Sequence, residues 1–152
     1  MLQVFLSDDV ATEALGERLA RSVPPGGVLA VSGELGAGKT CLARGFGRGL
    51  GVPGVVRSPT FALLQLHEGG RLDFAHLDVY RLGDATELPA LGLDEVLARG
   101  GCALIEWADR FPEALPEDRL DLALGVLGDA RTASIVATGP VHARWLERAN
   151  VA

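Results

Sequence analysis

Short apolar runs in this chain alternate with longer stretches in which apolar residues recur every three or four positions. Leu2-Gln3-Val4-Phe5-Leu6 predicts an opening strand. Ser7 then offers an N-cap, and Val10, Ala14, Leu15 and Leu19 fall at helical spacing until Pro24-Pro25-Gly26-Gly27 forces a turn. Val28 to Ser32 is almost continuously apolar, as a strand buried on both faces should be. A second helix is predicted from about Lys39 to Leu50, ended by Gly51 and Pro53. Phe61 to His67 and Arg71 to Leu77 predict two strands joined through Glu68-Gly69-Gly70. Helical spacing returns between Asp84 and Arg99, interrupted by Pro89 and Gly92. Cys102 to Ile105 predicts another buried strand, ending at Glu106. Leu120 to Val126 and Thr132 to Ala137 predict two strands about Gly128-Asp129, and a last amphipathic helix starts near Val141.

Early strand–helix alternation followed by hairpins predicts an α/β fold, a three-layer sandwich around a mixed sheet. No repeat or long linker interrupts the 152 residues, so a single domain over 1–152 is expected. Composition agrees: 48% apolar and 22% charged residues exclude a disordered chain. Two cysteines are too few for a disulfide framework. The start lacks a charged segment followed by a long apolar one, so no signal peptide is expected. No run approaches the roughly 20 apolar residues of a membrane span. These features predict a cytoplasmic protein. The net charge of −6, with arginines interleaved among acids, argues against a basic nucleic-acid-binding face. Any nucleic acid would then be held by a partner.

The chemistry enters at Gly33-Glu34-Leu35-Gly36-Ala37-Gly38-Lys39-Thr40, which matches G-x-x-x-x-G-K-[ST] at every fixed position. Glycines at 33, 36 and 38 let the backbone curl so that successive N–H groups converge on phosphate oxygens. The following helix adds the positive end of its dipole. Lys39 reaches the β- and γ-phosphates, and the Thr40 hydroxyl can ligate Mg²⁺. A strand before the loop and a helix after it complete a P-loop NTPase-like arrangement that is expected to bind a nucleoside triphosphate, read here as ATP, with Mg²⁺. The loop's own spacing, Gly33-x-x-Gly36-x-Gly38, is not G-x-G-x-x-G, so it does not read as a dinucleotide fingerprint.

A second carboxylate should complete the metal site from the end of a neighbouring apolar strand. Glu106, after Ala103-Leu104-Ile105, and Asp78, after Phe74 to Leu77, both fit. Either could hold the ion directly, hold it through water, or orient the attacking water. Ser58-Pro59-Thr60 lies where many triphosphatases keep a γ-phosphate-sensing segment, although a plain turn serves the pattern as well. His67, His76 and His142 form no metal-ligand spacing. Cys41 and Trp145 read as packing residues.

Taken in order, the phosphate loop, Ser58-Pro59-Thr60-Phe61, His76-Leu77-Asp78-Val79-Tyr80-Arg81-Leu82 and Leu104-Ile105-Glu106-Trp107 resemble the bacterial TsaE family, the ATPase subunit of tRNA threonylcarbamoyladenosine biosynthesis. The resemblance runs from the first helix to about residue 110. It implies ATP hydrolysis, with Lys39 on the phosphates, Thr40 and Glu106 on Mg²⁺, and Asp78 beside the nucleotide. It also implies TsaD and TsaB as partners, with tRNA reached only indirectly through the complex. By position in such a protein, Gly33, Leu35, Gly36, Ala37 and Gly38 would line the nucleotide, and Asp9 and Arg131 would reach its base. One departure is Cys41, where the family commonly has a second threonine.

Two other readings share the loop. A small-molecule kinase would add a lid and an acceptor pocket, and no arginine-rich lid segment follows the loop; Arg110 and Arg119 stand isolated. A non-hydrolysing ATP-gated adaptor would need only the cradle. Arg81 is a possible charge stabiliser, or the ion-pair partner of a neighbouring acid. With no arginine finger evident, weak intrinsic hydrolysis is expected, raised when partners order Ser58–Thr60 and Asp78–Arg81 over the γ-phosphate.

Overall fold

The computed structural model describes residues 1–57, 59 and 63–151. Seven strands form one sheet: β1 (Leu2–Leu6), β2 (Val28–Ser32), β3 (Leu64–His67), β4 (Phe74–Asp78), β5 (Cys102–Glu106), β6 (Leu120–Leu127) and β7 (Ala130–Ala137). Their spatial order is β1-β7-β6-β2-β5-β4-β3. The central strands β6, β2, β5 and β4 are mutually parallel, while β7 runs against β6 and β3 against β4. The mixed sheet expected from the alternation is therefore present, and helices cover it as a three-layer α/β sandwich.

Period-two alternation sorts side chains to the two faces. Leu29, Val31, Leu104, Leu122 and Ile135 face α1 (Asp9–Arg21), α2 (Lys39–Leu50) and α4 (Pro140–Ala149). Val28, Ala30, Leu77, Ala103 and Ile105 face the other way, toward α3 (Leu93–Ala98) and several 3₁₀ turns. That second cover is built of short pieces. It also stops short of the far half of the sheet, where Phe5 on β1 and Val136 on β7 remain exposed.

The helices pack unusually closely. Gly16 of α1 lies against the Leu42 carbonyl, and Gly45 and Gly49 of α2 lie against the carbonyls of Glu13 and Glu17. Arg44 and Arg48 reach across the same seam to Glu13 and Glu17. On α2, Leu42, Phe46 and Leu50 form one apolar stripe, and fully burying each such side chain is worth about 1.5–3 kcal/mol. Trp145, expected to pack, is fully buried and donates its indole N–H to the Leu19 carbonyl at 2.9 Å. His142 ties α4 to the sheet. Its Nε2 accepts from the Val28 N–H at 2.9 Å, and its Nδ1 lies 2.8 Å from an Asp118 carboxylate oxygen.

Two expectations need correction. Asp8, not Ser7, caps α1, because its carboxylate accepts from the Ala11 N–H at 2.9 Å. Arg71 to Asp73 stay out of β4, since the Arg71 guanidinium is drawn to the Ala20 and Val23 carbonyls at the end of α1. Helical spacing over Asp84–Arg99 yields two 3₁₀ turns and a six-residue helix, broken where Pro89 and Gly92 stand. The expected strand start at Phe61 and most of Ser58-Pro59-Thr60 lie outside the described residues.

Candidate functional site

Parallel pairing brings the expected acids together. β2 ends at Ser32, immediately before the glycine loop, and β5 and β4 lie beside it. In register, Val31 pairs with Glu106 and Glu106 with Asp78. Both carboxylates thus stand at the carboxyl ends of parallel strands next to the loop, where open α/β sheets collect ligands.

The loop itself has the backbone its glycines allow. Gly38 takes φ +106° as the N-cap of α2, and no side chain caps that helix. No acid occupies its first turn either, so the free amide hydrogens and the dipole both favour an anion there. Lys39 is buried at 5% exposure and donates to the Gly33 and Glu34 carbonyls at 2.6 and 2.9 Å. Burial pushes its pKa down, and the negative charges of Glu106, Asp109, Asp78 and Glu34 oppose that shift.

Thr40 sits directly in front of Glu106, its hydroxyl 3.3 Å from Oε1. Glu106 is 2% exposed, and His76 lies behind it. Asp78 accepts from the Tyr80 N–H at 2.9 Å; burial raises its pKa, and that hydrogen bond works the other way. A hydroxyl and two carboxylates are hard oxygen donors, which suit Mg²⁺. Among the described residues no group of three or more His, Cys, Asp or Glu forms a complete cage. The set therefore fits an ion that keeps waters and borrows phosphate oxygens.

A cleft of about 340 Å³ joins these parts, lined by Asp9, Leu35, Gly36, Gly38, Lys39, Thr40, Cys41, Asp78, Glu106 and Trp107. Asp9 reaches it from the first turn of α1, and Ala37 is buried beneath the loop. Arg131 reaches the loop from the other end of the chain, donating to the Gly36 carbonyl at 3.2 Å. The residues expected to hold nucleotide and metal are thus gathered around one loop. Cys41 donates its thiol to the Asp9 carbonyl, and burial raises its pKa, as befits a packing residue rather than a nucleophile.

Sequence reasoning missed the aromatic side of the site. Trp107 adopts a left-handed backbone, φ +61°, rare for a bulky residue and found where surroundings enforce it. Its indole lies under the Lys39 ammonium and 4.7 Å from the Tyr80 ring, centroid to centroid. The Arg110 guanidinium donates to the Tyr80 and Leu82 carbonyls and lies 5.6 Å from the Tyr80 ring. Arg119 likewise pairs with Asp121 at 2.7 Å. Arg81 lines an adjoining cleft of about 330 Å³ with Leu35, Tyr80 and Trp107, and no acid among the described residues pairs with it. The signal for this wall was present as Trp107 and Tyr80 beside the two acids, but spacing alone cannot show that they stack.

Comparison with known proteins points to one family. A family model described as "Threonylcarbamoyl adenosine biosynthesis protein TsaE" matches residues 6–133. A protein of Bacillus subtilis described as "tRNA threonylcarbamoyladenosine biosynthesis protein TsaE" is 42% identical over 118 residues, covering 78% of this chain and 73% of its own. One of Streptomyces coelicolor with the same description is 42% identical over 138 residues, covering 86% and 91%. The crystal structure of YdiB from Bacillus subtilis superposes with a TM-score of 0.84 at 33% identity, covering 97% of this chain and 93% of that one.

Proposed function

This chain belongs to the TsaE family, and from that premise we propose that it is a Mg²⁺-dependent ATPase serving threonylcarbamoyladenosine formation on tRNA. The observation that carries the reading is the Thr40 hydroxyl 3.3 Å from the Glu106 carboxylate at the mouth of the phosphate loop, with Asp78 in register beside it. The whole chain acts as one P-loop ATPase domain in the cytoplasm. TsaD- and TsaB-type proteins are its partners, and tRNA, modified at the adenosine next to the anticodon, is met only through them. The acidic charge suits that division of labour.

In this reading the amides from Gly33 to Thr40 cradle the phosphates, and Lys39 leaves the Gly33 and Glu34 carbonyls to bind the β- and γ-oxygens. Thr40 and Glu106 would hold the metal, which when bound would supply charge neutralisation at the terminal phosphates. Asp78, kept basic by burial, orients the attacking water. Asp9 and Arg131 flank the far end of the loop, toward the nucleoside. Among the described residues no arginine lines the loop cleft, so hydrolysis is slow until partners order the Asp78–Arg81 segment.

Single-turnover phosphate release, with and without TsaD- and TsaB-type partners, tests the proposal. Faster release in the complex is expected, and equal rates would refute partner activation. Lys39→Ala should weaken nucleotide binding roughly 10-fold or more, the worth of a charge-assisted hydrogen bond. Glu106→Ala should chiefly remove metal-dependent hydrolysis, and negligible effects from both would end the site assignment. The 330 Å³ cleft beside Asp78 favours one second reading, a kinase with a small acceptor there. Phosphorylation of an added small acceptor would select it over hydrolysis.

A further inference from the structure

Behind the metal-facing carboxylate stands a side chain that the phosphate chemistry does not use. His76 lies on β4 two residues before Asp78, on the same face, with no exposed surface. Its Nε2 is 2.5 Å from Glu106 Oε2. Its ring lies nearly parallel to Phe74, 5.9 Å between centroids and 17° between planes. Its other nitrogen, Nδ1, is buried and finds no hydrogen-bond partner among the described residues.

A fully buried imidazole with one nitrogen unpaired among the described residues is a costly way to fill a core, where leucine would bring no polar atom to pair. What the imidazole adds is the contact to Glu106. A carboxylate accepts, so Nε2 carries the hydrogen and Nδ1 bears the lone pair. With Oε2 engaged from behind, the carboxylate cannot rotate freely, and Oε1 is left as the oxygen nearer the Thr40 hydroxyl, 3.3 Å against 3.5 Å. Phe74 braces the ring, so the orientation is set by the sheet rather than by solvent.

We propose that His76 is a positioning residue for Glu106: its Nε2–H fixes the carboxylate with Oε1 toward Thr40 and so strengthens the binding of metal-loaded nucleotide, without touching nucleotide itself. The inference rests on the ATPase reading of the site. Groups that orient a metal's ligands commonly change metal affinity 10- to 100-fold when removed.

The test is calorimetric binding of ADP to the full chain, in Mg²⁺ and in EDTA, together with Mn²⁺ affinity by electron paramagnetic resonance. His76→Gln places an amide donor near the Nε2 position, His76→Asn is too short to do so, and His76→Leu has no donor. About a 10-fold or greater loss of the Mg²⁺-dependent gain is expected for Asn and Leu, with Gln within about 3-fold of the parent. Binding in EDTA should be unchanged in all three. The proposal is overturned if Asn and Leu keep the full gain, or if Gln is as damaged as Leu. Should the shorter variants fail to fold, ¹⁵N-histidine spectra of the parent chain decide. An Nε2–H tautomer at His76 that responds to Mg²⁺–ADP but not to ADP in EDTA supports it, and an Nδ1–H tautomer refutes it. A parent chain with no Mg²⁺-dependent binding would instead remove the ATPase reading and this inference with it.

Discussion

The ammonium of Lys39 lies 3.9 Å from the centroid of the Trp107 indole ring. Lys39 is the only lysine in the chain, so amine-directed labels report on this contact and on the N-terminus alone. Burial lowers its pKa, and the indole is part of that cover. Trp107→Ala should therefore let the Lys39 pKa rise toward its ordinary value near 10.5. The pH dependence of the ¹³C-methyl signal after reductive methylation would show it; an unmoved midpoint would mean that the loop alone desolvates the amine.

Arg110 braces the segment that carries Tyr80 and Leu82 by donating to both carbonyls. Arg110→Ala should cost roughly 1–2 kcal/mol from lost hydrogen bonds to a charged group that is partly exposed. Amide exchange should quicken around Val79 to Gly83, while nucleotide affinity stays within a few-fold. Exchange rates unchanged in that segment would show that Tyr80 and Leu82 are held by packing alone.

A methyl group placed on Gly45 would sit 2.0 Å from the Glu13 carbonyl oxygen, a contact with backbone that no rotamer can relieve. Gly45→Ala should destabilise by about 1–3 kcal/mol, since overpacking outweighs the roughly 1 kcal/mol helix-propensity gain. For a chain of this size that corresponds to a loss of several degrees in Tm, about 2–4 °C per kcal/mol. Calorimetry on the purified variant measures it directly.

His142 predicts an acid-side loss of stability. Burial holds its folded pKa below 6.5, with Asp118 pulling the other way, so the unfolded chain binds a proton that the folded one resists. Stability is complete above about pH 6.5 and declines as pH falls toward the folded pKa, by up to about 1.4 kcal/mol per pH unit for one proton. His67, also lowered by burial, contributes with the same sign. His142→Gln can keep an acceptor for the Val28 N–H while removing its share of the slope. Denaturant unfolding from pH 7.5 to 5 should show a shallower decline for the variant.

The parts of this molecule legible in its sequence are those fixed by local rules. The bounds of α2 follow from Lys39 and Gly51, because a phosphate loop must open a helix and a left-handed glycine closes one. Glu106 and Asp78 were visible as acids ending apolar runs, and parallel register alone makes them neighbours. Asp9 and Arg131 could be placed only through the family resemblance, since they meet the loop from opposite ends of the chain. The indole–phenol wall and the imidazole behind Glu106 depend on side-chain stacking and on a backbone outlier at Trp107, which carry no periodic signal. Between Asp84 and Arg99 the breaks at Pro89 and Gly92 were legible, whereas the shrinking of the first two pieces to single 3₁₀ turns was not.

The uneven cover of the sheet has a consequence for how the molecule comes apart. Long helices and the glycine seam seal one face, whereas the other is roofed by a six-residue helix and single 3₁₀ turns. Free energy of local opening should follow that division, with the roof exchanging its amides well below the global unfolding limit. The phosphate loop is anchored to the half that melts last, while Tyr80, Arg81 and Trp107 border the half that breathes. In the proposed ATPase, a partner pressing on the roof would alter the surroundings of Asp78 while leaving the glycine loop's hold on phosphate intact.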